Sequence, residues 1–193
     1  MDSKPDPINT LQQDDLLRPV IDAVGRKDLI PAQNFFRRFT VSIIRQQISM
    51  DAADAIYESI EERIDIEADI LAELSPSDVT DCGVSQMKAE TIIRIAKAFH
   101  SGNWNRAYFS SLSDEEVIDE MTRMRGVGPW TAKMQLIHSL GREDIYPLED
   151  LGIRKGIETL TGSSLDREDM RQIGDRWRPY RSYASLYIWT LVD

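Results

Sequence analysis

The chain has 193 residues, of which 41% are hydrophobic and 29% are charged, and its formal net charge is −10. This composition is ordinary for a globular protein, and no apolar run reaches the roughly 18 residues that a membrane span needs. The single cysteine, Cys82, excludes an internal disulfide and a four-cysteine zinc or iron–sulfur site, which favours a reducing compartment.

The N-terminal segment is polar and acidic, so we expect no secretory signal, and about ten residues with two prolines are expected to be mobile. Beyond it, hydrophobic residues recur at helical spacing, and no segment shows the alternation of a strand. Ser49 is a candidate N-cap that divides one stripe, and a capping box occupies residues 113–116. These patterns predict an all-α protein of about ten helices. The predicted helical segments are 16–24, 44–64, 92–99, 117–124, 130–140, 150–160, 167–176 and 181–191.

The charge is unevenly distributed along the chain. Residues 121–133 hold three basic residues and no acid, and residues 176–181 hold three arginines and no acid. Acids concentrate at 58–69 and 114–120. A net negative charge argues against general nucleic-acid binding, but this distribution is compatible with a basic face on an acidic body.

Gly126 and Gly128 flank Val127 in a predicted sharp turn between two helices. Glycine permits backbone angles that side chains forbid and lets another molecule approach closely. Pro129 suits the first turn of the next helix, whose unpaired N–H groups and dipole attract a phosphate. Asp150 follows about twenty residues later, near another helix start. A phosphate site followed by one placed carboxylate suggests chemistry on DNA; a plain interhelical turn and an ordinary N-cap are the alternatives.

Five strings, in one order across residues 44–189, resemble the HhH-GPD DNA glycosylases. Within that superfamily the chain most resembles the alkylbase glycosylases called DNA-3-methyladenine glycosylase II. The strings are IRQQIS at 44–49, GVSQMKA at 83–89, GVGPWTA at 126–132, EDLG at 149–152 and WRPYRSYA at 177–184. Some members carry an N-terminal β domain for which this chain has no room, so we expect the shorter, all-helical form.

The resemblance implies two helical lobes with a central cleft and a helix-hairpin-helix motif followed by the catalytic aspartate. We expect residues 1–33 and 120–193 to form an N/C-terminal helical subdomain and residues 34–119 to form a central helical subdomain. The helix-hairpin-helix at 115–140 would lie at their junction.

By resemblance, Asp150 is the catalytic carboxylate, which stabilises the positive charge that develops on the sugar as the glycosidic bond breaks. Glu149 is its adjacent rival. Trp130, Trp189 and Met134 are expected to line the base pocket, because electron-rich rings favour cationic, methylated bases. A role in the core is the alternative for these three residues.

The resemblance also implies DNA contacts and a wedge that fills the space left by an extruded base. Gln47 is the expected wedge, and Gln46 could exchange roles with it. The residues expected to contact DNA are Gly126, Val127, Gly128, Thr131, Lys133 and Arg125.

Bifunctional relatives carry a catalytic lysine at the position that Trp130 occupies here, whereas Lys133 lies three residues further on. We therefore expect a monofunctional DNA glycosylase without β-lyase activity. It would hydrolyse the N-glycosidic bond of alkylated purines, of the 3-methyladenine and 7-methylguanine type, in duplex DNA during base excision repair. The alternatives are a non-catalytic helix-hairpin-helix DNA-binding module and a glycosylase for deaminated bases.

No metal or cofactor is expected, although hairpin carbonyls near Met124 and Val127 are a candidate site for a monovalent cation. The expected partner is duplex DNA containing damaged bases, with no membrane association. We expect a monomer in the cytoplasm or nucleoid, or in the nucleus of a eukaryote. His100 and His138 are isolated in the sequence and are expected to be structural or surface residues.

Overall fold

A computed structural model describes residues 4–192, and within them the chain forms thirteen α-helices and no strand. The all-α prediction is confirmed. None of the helices in these residues combines the length and the apolar character that a bilayer span requires. The helices are α1 (Pro7–Leu11), α2 (Arg18–Val24), α3 (Phe35–Ile44), α4 (Met50–Glu61), α5 (Ala68–Glu73), α6 (Pro76–Thr80), α7 (Gln86–His100), α8 (Arg106–Ser110), α9 (Asp114–Thr122), α10 (Pro129–His138), α11 (Leu151–Thr161), α12 (Arg167–Asp175) and α13 (Arg181–Trp189).

One compact unit is Pro31–Leu140, which holds α3 to α10. Its core contains an aromatic cluster in which Trp104 stacks on Phe39, with ring centroids 5.9 Å apart, and meets Phe109 edge to face at 5.3 Å. Phe39 and Phe109 are fully buried. Because aromatic side chains bury large apolar areas, this cluster anchors α3 firmly in the unit.

The other compact unit is formed by Met1–Ile30 and Gly141–Asp193, and its described part holds α1, α2 and α11 to α13. Its buried core includes Ile153 of α11 and Tyr187 and Ile188 of α13. α11 and α13 pack against each other. This packing brings the start of α11 next to the end of α13.

The boundary between the units differs from the predicted one, because residues 120–140 pack with the central helices rather than with the terminal segments. α10 packs against α9 and α3, and the buried Gln135 donates through Nε2 to Oγ of Ser42 on α3 at 2.8 Å. The whole hairpin therefore belongs to the unit Pro31–Leu140.

The prediction of a mobile N-terminal segment is wrong for residues 7–11, whereas residues 1–3 lie outside the described part of the chain. Asp6 caps α1 by accepting hydrogen bonds from main-chain N–H groups, and Pro7 occupies the first turn, where a missing N–H is tolerated. Ile8 and Leu11 are buried in the core. The N-cap and the two buried side chains therefore order this segment, although its composition is polar and it contains two prolines.

Two predicted helix starts are confirmed, and both position parts of the site described below. Ser49 caps α4 by accepting from the Ala52 N–H at 3.3 Å, so the stripe at 44–64 is divided between α3 and α4. Ser113 and Glu116 form the capping box of α9.

Candidate functional site

The turn between α9 and α10 depends on Gly126. Its φ is +95°, and a Cβ added there would lie 2.0 Å from Oγ1 of Thr91, so only glycine fits. Gly128 is different, because its backbone is extended (φ −99°, ψ 174°) and an added Cβ would meet nothing within 4 Å. The expectation that backbone angles require both glycines is therefore wrong for Gly128. Its missing side chain instead leaves open space beside the start of α10.

Side chains from α7 and from the α3–α4 loop hold the main-chain carbonyls of this turn. Thr91 Oγ1 and Arg94 Nη1 each donate to the carbonyl oxygen of Arg125 at 3.2 Å. Gln46 Nε2 donates to the carbonyl oxygen of Gly126 at 3.1 Å. α10 begins directly after this fixed turn, and the N–H groups of a first helical turn lack intrahelical acceptors and favour an anion. The hairpin thus has the geometry of a phosphate-binding site.

The hairpin residues expected to contact DNA are not equally accessible. Arg125 is exposed and Lys133 is partly exposed, so both cations can reach a bound strand. Val127 is 5% exposed and its N–H is bonded within the turn. Thr131 is 1% exposed, and its Oγ1 accepts a hydrogen bond from the Gln46 side chain. The side chains of Val127 and Thr131 are therefore packed inside the unit, so any contact of these two residues with DNA would involve the main chain.

The loop between α3 and α4 contains the expected wedge. Gln47 is exposed, and its φ of +56° places a non-glycine residue in the left-handed region, at a cost of about 1 kcal/mol or more. Gln46, its rival, is bound to the hairpin: its Nε2 donates to the Gly126 carbonyl oxygen and, at 2.8 Å, to Thr131 Oγ1. Gln46 therefore fixes the loop, and Gln47 is the exposed member of the pair.

Lys88 of α7, which sequence reasoning did not single out, holds the same loop. Its Nζ donates to the carbonyl oxygens of Ile44 and Gln46, each at 2.7 Å. Burial lowers the pKa of Lys88. Every residue type has a main-chain carbonyl, so the partners of Lys88 leave no pattern in the sequence. The only sequence signal for Lys88 was its place in the GVSQMKA string at 83–89.

Asp150 is the N-cap of α11, and one oxygen of its carboxylate is shared between two donors. Oδ1 accepts from the N–H of Ile153 at 2.9 Å and from Nε1 of Trp189, at the end of α13, at 3.0 Å. Gly152 permits this approach, because a Cβ there would lie 2.9 Å from Oδ1 of Asp150 and 3.1 Å from Cδ1 of Trp189. Asp150 is partly exposed, whereas its rival Glu149 is exposed. Asp150 is thus an N-cap, as the alternative interpretation predicted. It also accepts a hydrogen bond from Trp189, which capping does not require.

Trp130 and Met134, expected at the base pocket, lie one turn apart on one face of α10. Trp130 is partly exposed, whereas Met134 is only 5% exposed. Little of the Met134 side chain is accessible to a bound base, so Trp130 is the stronger candidate of the two.

The arginines of the stretch at 176–181, whose charge was compatible with a basic face, pair with acids. Arg176 pairs with Asp14 at 2.7 Å, while Arg178 and Arg181 both pair with Asp144, at 3.0 Å and 2.7 Å. These arginines are neutralised within their own unit. The exposed Arg125 of the hairpin is therefore the better candidate for contact with a polyanion.

The histidines do not form a metal site. Within residues 4–192, no group of three or more His, Cys, Asp or Glu residues is arranged to hold a metal ion. Nδ1 of His100 lies 2.8 Å from Oδ1 of Asp69 on the surface, in agreement with its predicted surface position.

The hairpin turn and Asp150 both lie within a range that matches a known family. Residues 40–179 match the family described as HhH-GPD superfamily base excision DNA repair protein. The chain therefore belongs to this family, and the resemblance seen in its sequence is confirmed.

Several of the relatives and solved structures that are similar to this chain are 3-methyladenine glycosylases. DNA-3-methyladenine glycosylase 1 of Schizosaccharomyces pombe is 35% identical over 111 residues, which cover 56% of this chain and 49% of that protein. The solved structure of the Schizosaccharomyces pombe 3-methyladenine DNA glycosylase in complex with abasic DNA has a TM-score of 0.85 and 25% identity, and covers 95% of both chains. A DNA-3-methyladenine glycosidase from Bacillus halodurans has a TM-score of 0.79 and 31% identity, with coverage of 98% of this chain and 89% of that one. The chain spans less than half the length of the first Schizosaccharomyces pombe relative and of two from Bacillus subtilis.

Proposed function

We propose that this protein is a monofunctional DNA glycosylase that hydrolyses the N-glycosidic bond of alkylated purines in duplex DNA and acts as a monomer in base excision repair. The Asp150 carboxylate carries this proposal, because two donors fix its orientation at the start of α11 while the residue stays partly exposed. The similarity to 3-methyladenine glycosylases of Schizosaccharomyces pombe and Bacillus halodurans supports it.

The role of Asp150 is electrostatic. Glycosidic cleavage passes through an oxocarbenium-like state, and a carboxylate beside the anomeric carbon stabilises its positive charge. Water then adds to that carbon and loses a proton, which Asp150 can accept. A purine alkylated at N3 or N7 already carries positive charge and leaves readily, so one placed carboxylate is sufficient and no strong general acid is needed.

Binding of duplex DNA is assigned to the hairpin and the α3–α4 loop. The first-turn N–H groups of α10 hold a strand phosphate, with Arg125 and Lys133 as supporting cations. Gln47 occupies the space of the extruded base, where its amide can hydrogen-bond the orphaned partner. Trp189, whose indole contacts Asp150, supplies an aromatic contact to the extruded base.

The same residues favour hydrolysis without strand cleavage. A β-lyase needs an amine that forms a Schiff base with the sugar, and Trp130 stands where bifunctional relatives carry that lysine. A monovalent cation bound by hairpin carbonyls near Met124 and Val127 is part of the proposal, but no step of hydrolysis depends on it.

Replacement of the carboxylate by an amide tests the assignment. Asp150→Asn keeps an oxygen that can accept from Ile153 and Trp189, so the cap and the fold should persist. We expect release of methylated purines from alkylated DNA to fall roughly 100-fold or more, while affinity for duplex DNA with an abasic site stays within about twofold of wild type.

Glu149→Gln is the matched control, because it removes the charge of the adjacent, exposed carboxylate. This variant should release bases at the wild-type rate. Full activity in Asp150→Asn, or loss confined to Glu149→Gln, would refute the assignment of Asp150. Cleavage of the strand without heat or alkali would refute the monofunctional mechanism.

A further inference from the structure

The side chain of Arg154 folds back over the loop that leads to Asp150. Arg154 lies near the start of α11, and its Nη1 donates to the carbonyl oxygens of Leu148 at 3.2 Å and of Glu149 at 2.7 Å. Its main-chain N–H donates to the carbonyl oxygen of Asp150 at 3.2 Å, which is an ordinary helical bond. One residue therefore holds three successive carbonyl groups, and the last of them belongs to Asp150.

The peptide group between Glu149 and Asp150 is bonded at both of its polar atoms. Its N–H, which belongs to Asp150, donates to the carbonyl oxygen of Pro147 at 2.9 Å. Its carbonyl oxygen, which belongs to Glu149, accepts from Arg154. The plane of a peptide group is rigid, so its two bonds together fix the backbone dihedral φ of the residue that follows. The guanidinium of Arg154 thus helps to fix the φ of Asp150.

The direction of the Asp150 carboxylate depends on this backbone. Its Oδ1 lies 2.9 Å from the main-chain nitrogen of Ile153 and 3.0 Å from Nε1 of Trp189. Both donors belong to helices, α11 and α13, whose positions are fixed by packing. A change in the φ of Asp150 would move the carboxylate relative to both donors. The geometry of Oδ1 therefore requires that the preceding peptide group stay in place.

The inner side of the loop is fixed by other means. The side chains of Tyr146 and Leu148 are buried, and the Leu148 N–H donates to the carbonyl oxygen of Tyr146 at 3.1 Å. Such short turns bend the chain but leave outward carbonyl groups that need a donor from elsewhere. A guanidinium suits this task, because it offers several donors in a rigid plane and its charge strengthens each hydrogen bond.

We propose that Arg154 is a positioning residue for base release, which fixes the peptide group before Asp150 and thereby the direction of the Asp150 carboxylate. The inference rests on the proposed function, because it assigns the chemical step to Asp150. A displacement of a catalytic group by about 1 Å can slow a reaction about 100-fold. Arg154 acts here through Asp150 and not on the base, so its loss should affect the chemical step rather than substrate binding.

The test replaces the guanidinium by a side chain of similar length without donors. In Arg154→Met we expect kcat for release of methylated purines from alkylated duplex DNA to fall about tenfold, with KM within about twofold of wild type. Tm should fall by no more than about 4 °C, because water can replace the donor at the exposed Glu149 carbonyl. Arg154→Lys keeps a charged donor for main-chain carbonyls, so it should retain most of the wild-type kcat.

Lys155→Met is the matched control. It removes an exposed cation from the next position of α11 and should leave kcat at the wild-type value. Amide hydrogen exchange supplies a second readout that does not depend on activity. The N–H groups of Asp150 and Ile153 should exchange at least about fivefold faster in Arg154→Met and at the wild-type rate in Lys155→Met.

Each other outcome has a separate meaning. A wild-type kcat in Arg154→Met, with or without a lower Tm, would overturn the positioning role. A higher KM with unchanged kcat and a smaller salt dependence of duplex binding would assign Arg154 to a DNA phosphate, and would also overturn it. If the wild-type chain released no methylated purine, the proposed function itself would fail, whereas the exchange rates would still decide whether Arg154 fixes the loop.

Discussion

The indole Nε1 of Trp189 donates a hydrogen bond to Oδ1 of Asp150 at 3.0 Å, which joins the end of α13 to the start of α11. Resemblance predicted both residues as functional but gave Trp189 only a place against the base. The structure gives its indole a second task, the orientation of a carboxylate. Gly152 makes the contact feasible, because a side chain there would collide with both partners.

Trp189→Phe should separate these two tasks. Phenylalanine keeps an aromatic face but has no N–H, so Asp150 loses one of the two donors to Oδ1. We expect kcat for base release to fall about tenfold with little change in KM, because hydrogen bonds to charged groups contribute roughly 1.5–3 kcal/mol. Trp104→Phe is the control, since it removes an indole donor to Glu120 in the other unit. An unchanged kcat in Trp189→Phe would show that Asp150 is oriented without the indole.

The two glycines of the hairpin should respond in opposite ways to alanine. Gly126→Ala forces a Cβ to within 2.0 Å of Thr91 Oγ1 at a φ of +95°, so we expect a loss of about 3 kcal/mol in the free energy of unfolding. Gly128→Ala should leave stability within about 0.5 kcal/mol of wild type. It should nevertheless weaken binding of undamaged duplex about tenfold, because the methyl group enters the open space beside the first turn of α10. Denaturant melts and titrations with duplex DNA measure both effects. Wild-type DNA affinity in Gly128→Ala would contradict the phosphate assignment.

Lys88 should matter more for base extrusion than for binding of intact DNA. Lys88→Met leaves the carbonyls of Ile44 and Gln46 without their donor, at a cost of about 2 kcal/mol, and loosens the loop that carries the wedge. We expect slower base release and a weaker fluorescence signal from 2-aminopurine placed beside the lesion, with undamaged-duplex affinity nearly unchanged. Lys97→Met, on the exposed face of the same helix, is the control for charge. If base release slowed equally in both lysine variants, the cause would be the lost positive charge and not the lost hydrogen bonds to the loop.

Gln47 holds a conformation that glycine adopts more easily. Gln47→Gly should raise the free energy of unfolding by about 1 kcal/mol, because it relieves the positive φ. It should also slow base release, because the side chain that fills the gap is gone. Gln47→Asn tolerates the same backbone and keeps a shorter amide, so it should retain part of the activity. A stabilised Gln47→Gly variant with wild-type release would exclude Gln47 as the wedge.

Local signals in the sequence were sufficient for the helices and for the position of the hairpin. The Ser49 cap and the box at Ser113 were predicted because capping depends on residues a few positions apart. The turn at Gly126 was also predicted from neighbouring residues. The reason that no side chain fits there is the close approach of Thr91, which is distant in sequence.

The features that sequence reasoning missed all depend on packing between distant segments. Lys88 binds main-chain carbonyls, and any residue type supplies those. Arg38 stands out only because burial and the charge of Arg45 lower its pKa to about 10, and both causes are properties of the folded unit. The arginines near the C terminus looked available for DNA until the fold placed Asp14 and Asp144 beside them.

The environment of His138 predicts a pH dependence of stability. Burial, with the charges of Arg38 and Arg45 on the facing helix, lowers the pKa of His138 to about 4 in the native state, whereas an unfolded histidine titrates near 6.5. As pH falls below about 6.5 the unfolded chain binds a proton that the native chain does not, so stability decreases between about pH 6.5 and pH 4. The loss from this group is at most about 3 kcal/mol and is absent above about pH 7. In His138→Gln the difference in unfolding free energy from wild type should therefore vary over this window. Chemical denaturation at half-unit pH steps would show this, and parallel curves for wild type and His138→Gln would mean that the imidazole is not held neutral by its surroundings.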